Sequence, residues 1–345
     1  MADDVRFGIV GLGMGRDRAS KATKTPGARL VAVCDILEER GAKAAEELGV
    51  EWITEYDEML ARDDIDAIGV YTPSGWHCDF ALRALQAGKH AFTTKPMDIE
   101  VAKCDAAIAE AEKRGLVLAV DFDCRYDPMN HRVRAALQQG AIGQVILADL
   151  RMKWYRSQGY YDGGSPLGWR SRRETERGSA ANQGVHYIDL LQWWLGPVKS
   201  VIGRYSTFTH KIASEDAAGG IVEFASGAWA VVLTTTCSFP GLGTTLEITG
   251  DRGTVAWHDS NLRVFQVMKG EASGLPEWGS PEAEDLNLED FPVPEDLPPH
   301  IIADMVRAIT EGKPVQCDGH EGRKSVALFQ AIYESCEQGK AVSAP

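Results

Sequence analysis

Two short stretches of the chain carry side chains that could manage a proton during a reaction. The first, TTKP at residues 93–96, places Lys95 directly after a predicted strand and before Pro96. Pro96 disfavours helical geometry at Lys95, and an ammonium beside a substrate hydroxyl lowers the cost of forming an alkoxide. A plain surface lysine is the alternative, because most lysines are solvated.

The second stretch is a helix predicted over residues 185–195, with Asn182 just before it. Asn182, His186 and Asp189 are spaced so that they would share one face of a continuous helix. A polar stripe on an apolar helix is costly unless it faces a cleft or is paired, and histidine is the usual proton-transfer residue near neutral pH. The alternative is a capping Asn, a satisfied core His and a solvated Asp.

The element that would position such groups is a strand that ends in glycines near the N-terminus. Gly11 and Gly13 fit the dinucleotide fingerprint G-x-G-x-x-G, whereas its third position is Arg16, with Gly15 one place early. Such a turn into a helix N-terminus suits a phosphate. Asp35 ends the next predicted strand, where an acid can bind the adenosine ribose and would repel a 2′-phosphate. No arginine follows it immediately, so NAD is favoured over NADP, although a plain turn with an exposed acid is the alternative.

The stretch YTPSGWH, residues 71–77, follows another predicted parallel strand. Loops at that edge of a parallel sheet line the ligand crevice. Thr72 and Pro73 are therefore plausible neighbours of a cofactor. The complete set of predicted cofactor contacts is Gly11, Leu12, Gly13, Met14, Gly15, Arg16, Asp35, Thr72, Pro73, His77, Thr94, Lys95 and Pro96.

Composition excludes several classes of partner. The 345 residues carry a net charge of −14, which disfavours nucleic acid and anionic membranes. No apolar run approaches the roughly 20 residues of a membrane helix, and the acidic N-terminus lacks the features of a signal peptide. Seven scattered cysteines suggest reduced thiols and no structural metal. We expect a cytoplasmic protein that binds no metal, nucleic acid or membrane.

The pattern of elements predicts an α/β chain of two domains. Strands and helices alternate up to about residue 121, as a parallel Rossmann sheet requires. Strand-like runs separated by turns then dominate, which indicates an α+β domain on a large, mostly antiparallel open sheet. We place an NAD-binding domain at residues 1–123 and a substrate-binding and oligomerisation domain at residues 124–345. The C-terminal helices of the second domain could pack back on the first.

These segments together resemble the Gfo/Idh/MocA family of oxidoreductases. The resemblance covers essentially the whole chain and is carried by GIVGLGMGRDRA, VAVCD, YTPSGWH, AGKHAFTTKP, NQGVHYIDLLQWWLG and TLEITGDRGTV. It implies a Rossmann domain followed by an α/β domain whose open sheet commonly serves oligomerisation, so a homodimer or homotetramer is expected. It also implies that Lys95 is the lysine of the family's E-K-P element and that His186 is its D-x-x-x-H histidine.

Two residues depart from the family pattern. The E-K-P glutamate is Thr94, and the aspartate four before His186 is Asn182. Thr94 cannot form an ion pair and Asn182 cannot act as a base, but Asn182 can hydrogen-bond a substrate hydroxyl. The Lys95–His186 pair is retained, which favours an enzyme.

Substrate contacts are expected from both domains and from polar and aromatic loops. Aromatic faces and forked guanidinium groups suit sugar rings, carboxylates or phosphates, although a solvated, self-paired loop is an equal alternative. The candidate substrate contacts are Asn182, Asp189, Trp154, Arg156, Tyr161, Arg170 and Asp123.

The leading hypothesis is an NAD-dependent dehydrogenase of a small polyhydroxylated substrate, a sugar, sugar derivative or cyclitol. His186 would accept the hydroxyl proton while Lys95 stabilises the alkoxide and the nicotinamide takes the hydride. One alternative is an enzyme that uses bound NAD in a transient oxidation to cleave a glycoside or ether bond. Another is a non-catalytic protein that senses NAD or a sugar.

Overall fold

The computed structural model of the protein describes residues 4–259, 261–270, 279 and 281–344. The described residues form two compact units. The first unit takes its described residues from 1–126, 174–176 and 298–326. The second takes them from 127–173, 177–297 and 327–345.

The strands of both units are short. In chain order they are β1 (Val5–Val10), β2 (Ala28–Cys34), β3 (Glu51–Ile53), β4 (Ala67–Val70), β5 (His90–Thr94), β6 (Leu118–Asp121), β7 (Val145–Lys153), β8 (Val198–Ser206), β9 (Ala217–Phe224), β10 (Trp229–Thr235), β11 (Gly243–Gly250), β12 (Gly253–His258), β13 (Asn261–Met268) and β14 (Ala283–Asp285).

The helices follow the same chain order. They are α1 (Gly15–Ala22), α2 (Glu38–Leu48), α3 (Tyr56–Leu60), α4 (His77–Gln86), α5 (Val101–Arg114), α6 (Pro128–Gln138), α7 (Gln158–Asp162), α8 (Val185–Leu195), α9 (Ile301–Glu311) and α10 (Gly319–Gln338). Among the described residues, no helix has both the length and the apolar character needed to cross a bilayer.

The first unit is built on a sheet of six parallel strands in the order β3-β2-β1-β4-β5-β6. The chain reverses its winding between β1 and β4, and ligands bind at the carboxyl ends of strands beside such a switch. Phe7 and Ile9 of β1 are fully buried, and Ile301 and Met305 of α9 belong to the same apolar cluster. The predicted Rossmann fold is confirmed.

The second unit is built on a sheet of eight strands in the order β14-β13-β12-β11-β7-β10-β9-β8. Strands β7 and β10 pair in parallel, and the other neighbours pair antiparallel. The predicted large, mostly antiparallel sheet is confirmed. One sheet face exposes Ile202, Ile221 and Val231, which are register partners on three adjacent strands. The homo-oligomer remains a prediction, and this apolar stripe is where we expect a second copy to bind.

Helix α6 was not predicted, and its local signals explain how it could have been found. The Asp127 side chain caps the helix by accepting a hydrogen bond from the Met129 N–H over 2.9 Å. Pro128 follows at the first helical position, where a missing N–H costs nothing. The Asp127-Pro128 pair is therefore a local signal for the start of a helix.

A buried carboxyl, Glu215, anchors the segment that leads into α8. Its Oε2 accepts a hydrogen bond from Ser179 Oγ over 2.7 Å, and its Oε1 accepts from the Ala180 N–H over 2.8 Å and from the Tyr333 hydroxyl over 3.0 Å. Glu215 is 1% exposed. Because every donor lies in the second unit, this carboxyl fixes the start of the helix that carries His186 within that unit.

We expect Glu215→Gln to change the pH dependence of stability. Burial raises the pKa of Glu215 from 4.5 to about 7. The folded state therefore holds a proton that the unfolded state has lost between those two pH values, so the stabilisation is complete below pH 4.5 and is lost as the pH rises through about 7. A glutamine can keep the contacts, because its oxygen accepts from Ala180 and Tyr333 and its amide donates to Ser179.

Urea unfolding at about pH 5 and about pH 8 checks this expectation. The free energy of unfolding of the wild type should fall relative to that of Glu215→Gln, by about 3 kcal/mol at most since one pKa unit is worth about 1.4 kcal/mol. Glu284→Gln, which changes an exposed glutamate of the same unit, should track the wild type. A difference between wild type and Glu215→Gln that stays constant with pH would contradict the expectation.

Candidate active site

The turn after β1 is held by backbone contacts that leave no room for a side chain. Gly11 has a φ of 85°, and its N–H donates to the carbonyl of Cys34 over 2.9 Å. A Cβ at Gly11 would lie 2.5 Å from the carbonyl oxygen of Tyr71. At Gly13 a Cβ would meet nothing within 4 Å, so the backbone is open on that side. The first glycine makes the turn and the second leaves space for a ligand.

Gly15 performs the packing role of the third fingerprint glycine although it stands one residue early. A Cβ there would lie 3.0 Å from Tyr71 Cβ and 3.1 Å from Ile9 Cγ2, so glycine lets α1 approach β1 closely. Among the residues that the structure describes, no side chain caps the N-terminus of α1, and Met14 before it is 55% exposed. A surface cavity of about 480 Å³ adjoins the turn, lined by Gly13, Met14, Arg16, Asp17, Arg18 and Ser20. An open backbone and an uncapped helix N-terminus fit the pyrophosphate of a dinucleotide.

Asp35 lies at the end of β2 and is 3% exposed. Its carboxylate accepts a hydrogen bond from the Leu12 N–H over 2.8 Å, which ties the glycine turn to β2. It also accepts from the Leu37 N–H over 2.9 Å and from two nitrogens of Arg40, Nε at 2.7 Å and Nη2 at 2.8 Å. Arg40 was not predicted from the sequence, because it lies five residues after Asp35 and not directly next to it.

The loops after β4 and β5 are joined by the ring of His77, which is 1% exposed. Its Nε2 lies 2.7 Å from the carbonyl oxygen of Thr72, and its Nδ1 lies 2.7 Å from the carbonyl oxygen of Pro96. Lys95 directly precedes Pro96, so the ring sets the position of the loop that carries the lysine. Thr94 is buried beside it at 7% exposure.

Asp98 supports the same loop and was not predicted. Its carboxylate accepts hydrogen bonds from the Cys78 N–H over 3.0 Å and from the Ile99 N–H over 2.7 Å. Burial raises the pKa of Asp98 to about 6. The carboxylate therefore links the start of α4 to the lysine loop.

Asp123, a predicted substrate contact, lies in the first unit and accepts a hydrogen bond from Arg18 Nη2 over 2.5 Å. Arg18 also donates through Nε to Asp121 at the end of β6 over 2.8 Å, and the Tyr71 hydroxyl donates to the same carboxylate oxygen over 2.6 Å. The Asp123 side chain is 59% exposed. Its carboxylate therefore holds α1 and still faces solvent.

In the second unit, Asn182 lies in a π-helical turn, Ala180–Gly184, that leads directly into α8. His186 is the second residue of α8, and the predicted bounds of that helix match the observed ones. The wider π turn changes the phase that a continuous α-helix would give Asn182 relative to the residues after it, and such turns are frequent at functional sites. Asn182 and His186 are partly exposed, whereas Asp189 is 1% exposed.

An arginine–aromatic group, which we name the Tyr160 cluster, consists of Trp154, Arg156, Tyr160 and Arg170. The Arg156 guanidinium carbon lies 5.1 Å from the centre of the Trp154 ring and 5.4 Å from that of Tyr160. The Arg170 guanidinium carbon lies 4.5 Å from the centre of the Tyr160 ring. The Tyr160 hydroxyl accepts a hydrogen bond from Gln183 Nε2 over 2.8 Å, so the cluster is joined to the π turn.

Tyr161, which was predicted to contact substrate, is buried in the structure. Tyr161 is 2% exposed, and its hydroxyl lies 2.6 Å from Thr236 Oγ1. Tyr160 and Tyr187, which were not predicted, are partly exposed, and the Tyr187 ring lies 6.4 Å from that of Trp154. The sequence could not separate the two adjacent tyrosines because only packing decides which of them faces inward.

His210, Asp216 and Cys237 come together in the second unit, with one potential ligand atom of each within 4.8 Å. Although burial opposes it, hydrogen bonds from the backbone N–H groups of Thr209, Phe208 and His210 lower the pKa of Asp216 to about 2. These donors bind the carboxylate to its own loop. The absence of a metal remains a prediction.

The structure therefore brings the predicted residues together in two groups. In the first unit, the glycine turn and the loops of Thr72 and Lys95 follow β1, β4 and β5, whose carboxyl ends share one edge of the sheet. In the second unit, three predicted contacts, Trp154, Arg156 and Arg170, join the π turn that contains Asn182 through Tyr160.

Known protein families match both parts of the chain. A sequence profile described as the oxidoreductase family, NAD-binding Rossmann fold, matches residues 5–122, and one for the C-terminal alpha/beta domain of the same family matches residues 134–344. The chain is 26% identical to the inositol 2-dehydrogenase of Rhizobium meliloti, over 98% of this chain and 99% of that protein. It is 29% identical to the scyllo-inositol 2-dehydrogenase (NAD(+)) of Bacillus subtilis, over 74% of each.

A solved structure is similar along the whole chain. The WlbA dehydrogenase from Bordetella pertussis, in complex with NADH and UDP-GlcNAcA, has a TM-score of 0.86 and 26% identity and covers 99% of both chains. With both family domains matched and the glycine turn, lysine loop and histidine helix in their expected elements, the chain belongs to the Gfo/Idh/MocA family of NAD-dependent oxidoreductases.

Proposed function

We propose that the protein oxidises a carbinol carbon of a sugar or cyclitol, with NAD as the hydride acceptor. The observation that carries the proposal is the position of Lys95, which follows β5 at the same sheet edge as the glycine turn. Two of the similar proteins are named inositol dehydrogenases, and a similar structure holds NADH with a nucleotide-linked sugar. These likenesses support a polyhydroxylated substrate for this chain.

NAD supplies an acceptor for the hydride that leaves the carbinol carbon. The chain must manage the proton and the charge of the oxygen that this carbon carries. His186 accepts the proton of the hydroxyl, which is the usual role of histidine near neutral pH. Lys95 stabilises the alkoxide because its ammonium is held where negative charge develops.

The lysine is useful only if its loop is rigid. The His77 ring and the Asp98 carboxylate hold that loop to the loop after β4 and to α4. Both side chains are at most 1% exposed, so their contacts are shielded from water. Lys95 is therefore presented on a fixed support, which a charge-stabilising group needs because misplacement by about 1 Å can cost about a hundredfold in rate.

Asn182 and the Tyr160 cluster are proposed to bind substrate hydroxyls or a charged substituent. Asn182 replaces the family's aspartate and can donate and accept hydrogen bonds without acting as a base. Arg156 and Arg170 lie against the Tyr160 ring and, in that position, present forked donors suited to hydroxyls, carboxylates or phosphates. Asp189 is buried and is proposed to orient the helix residues around it.

Reduction of NAD by the purified protein tests the substrate class. Absorbance of the reduced nicotinamide should appear with one class among inositols, free hexoses, hexuronates and nucleotide-linked sugars. If no substrate class gives this absorbance and NADH is still bound after purification, the protein instead uses its bound NAD in a transient oxidation of the substrate. If no class gives this absorbance and no cofactor is bound, a non-catalytic binding protein is favoured.

Replacing Lys95 or His186 should lower turnover strongly and leave cofactor binding nearly unchanged. We expect Lys95→Ala and His186→Ala to lower kcat by about 10²- to 10⁴-fold, the usual contribution of a positioned acid or base. The dissociation constant of NADH, measured by fluorescence, should stay within about threefold because neither change alters the glycine turn.

Lys113→Ala and His320→Ala are matched controls, since each removes the same side-chain type from an exposed position. Both controls should retain wild-type kcat. Wild-type turnover in Lys95→Ala or His186→Ala would remove that residue from the mechanism.

Arg170→Gln should weaken substrate binding more than catalysis. Loss of the guanidinium over Tyr160 removes a charged hydrogen-bond donor, which is worth about 1.5–3 kcal/mol. We expect KM to rise at least about tenfold and kcat to change less than about threefold. Arg263→Gln, on the exposed strand β13, should leave both constants unchanged. An unchanged KM in Arg170→Gln would exclude this arginine from the substrate site.

A further inference from the structure

The carboxylate of Asp35 has no free acceptor position for the adenosine ribose of a dinucleotide. Its Oδ2 accepts from Leu12 N and Arg40 Nε, and its Oδ1 accepts from Leu37 N and Arg40 Nη2. Two lone pairs on each oxygen match these four donors. The Asp35 side chain is 1% exposed, so a ribose can reach it only if a present donor leaves.

The surface beside Asp35 is instead formed by Arg40 and its neighbours. A cavity of about 400 Å³ opens there, lined by Arg16, Ile36, Leu37, Glu38, Glu39, Arg40 and Lys43. Asp35 does not belong to that lining. Ile36 is 69% exposed and Leu37 40% exposed, and both offer apolar surface of the kind that an adenine ring can cover.

The guanidinium of Arg40 binds Asp35 along one of its edges, and a second edge can still donate hydrogen bonds to a ligand. Its Nε and Nη2 bind the carboxylate, whereas Nη1 has no hydrogen-bond partner within the described part of the chain. The side chain is 32% exposed. A planar guanidinium can hold a carboxylate along one edge and a phosphate along the next, since it has five N–H donors in fixed directions.

The charges around the cavity are nearly balanced. Arg40 neutralises Asp35, so the acid that would repel a phosphate is already paired. Lys43 adds a positive charge, Arg16 is paired with Glu47, and the carboxylates of Glu38 and Glu39 oppose them. This balance allows an added phosphate without strongly favouring it.

We infer that Arg40 forms a subsite for a phosphate on the 2′-oxygen of the adenosine ribose, so that the protein accepts NADP as well as NAD. In this arrangement Arg40 stays on Asp35 and donates through Nη1 and Nη2 to the phosphate. With NAD, the ribose diol competes with Arg40 for the same carboxylate. The inference rests on the NAD-binding fold and does not depend on the proposed sugar chemistry.

The dissociation constants of NAD and NADP, measured by calorimetry without substrate, test the inference. For the wild type we expect the constant for NADP to be no more than about thirty times that for NAD. Arg40→Ala should raise this ratio at least about tenfold, because it removes the charged hydrogen-bond donor to the phosphate. Its constant for NAD should be unchanged or lower, since Asp35 becomes free to bind the ribose.

Arg114→Ala is the matched control, because it removes a half-exposed arginine that pairs with Glu110 on α5 of the same unit. It should leave the ratio unchanged. A wild-type ratio above about thirty, an unchanged ratio in Arg40→Ala, or equal weakening of both cofactors in that variant would overturn the inference. Absence of turnover with every polyol would count against the proposed substrate class and would leave the ratio as it is.

Discussion

The first unit depends on one close contact, the approach of Gly11 to the carbonyl oxygen of Tyr71. No side chain fits at Gly11, because its Cβ would lie 2.5 Å from that oxygen. Gly15 repeats the constraint one turn later by bringing α1 against Tyr71 and Ile9. The two glycines thereby place an uncapped helix N-terminus beside the switch between β1 and β4. Binding of a dinucleotide follows from this backbone geometry more than from any side chain.

Buried polar side chains then hold the loops that carry chemistry. His77 and Asp98 join the lysine loop to its neighbours in the first unit. Glu215 holds the π turn of the second unit in the same way, through hydrogen bonds from Ser179 and Ala180. Each of these groups is at most 1% exposed. The carboxyl groups of Asp98 and Glu215 accept hydrogen bonds from defined donors, as the cost of burying a polar group requires. Rigidity at the proposed site is therefore built from hydrogen bonds that a solvent-facing loop could not keep.

Arg40 changes what the Asp35 carboxylate can bind. An acid at the end of β2 is the accepted sign of a ribose contact, and Asp35 stands at that place. Its carboxylate is nevertheless covered by a guanidinium five residues further along the chain. Whether the surface is acidic or basic is decided by that pair and by the carboxylates and cations around the cavity.

The sequence alone determined the order of elements, the doubly wound first domain, the mostly antiparallel second sheet and the family. These properties depend on local patterns, since periodicity, glycine punctuation and motif order are written along the chain. Helix α8 was predicted with its observed bounds, whereas α6 was missed because its signal is a capping pair rather than a periodic face. Lys95, His186 and Asp35 were proposed as site residues from their type and position in the same way, and these roles remain predictions.

Only the tertiary structure decided what surrounds those residues. The π turn at Asn182, the choice of Tyr160 over Tyr161 as the exposed ring, and the support of the lysine loop by Asp98 all depend on packing between segments far apart in the chain. Hydrogen-bond saturation of Asp35 also depends on donors from the turn after β1 and from α2. The sequence shows which side chains are chemically able to act. Their burial and their hydrogen bonds in the folded chain decide which of their atoms can still contact a ligand.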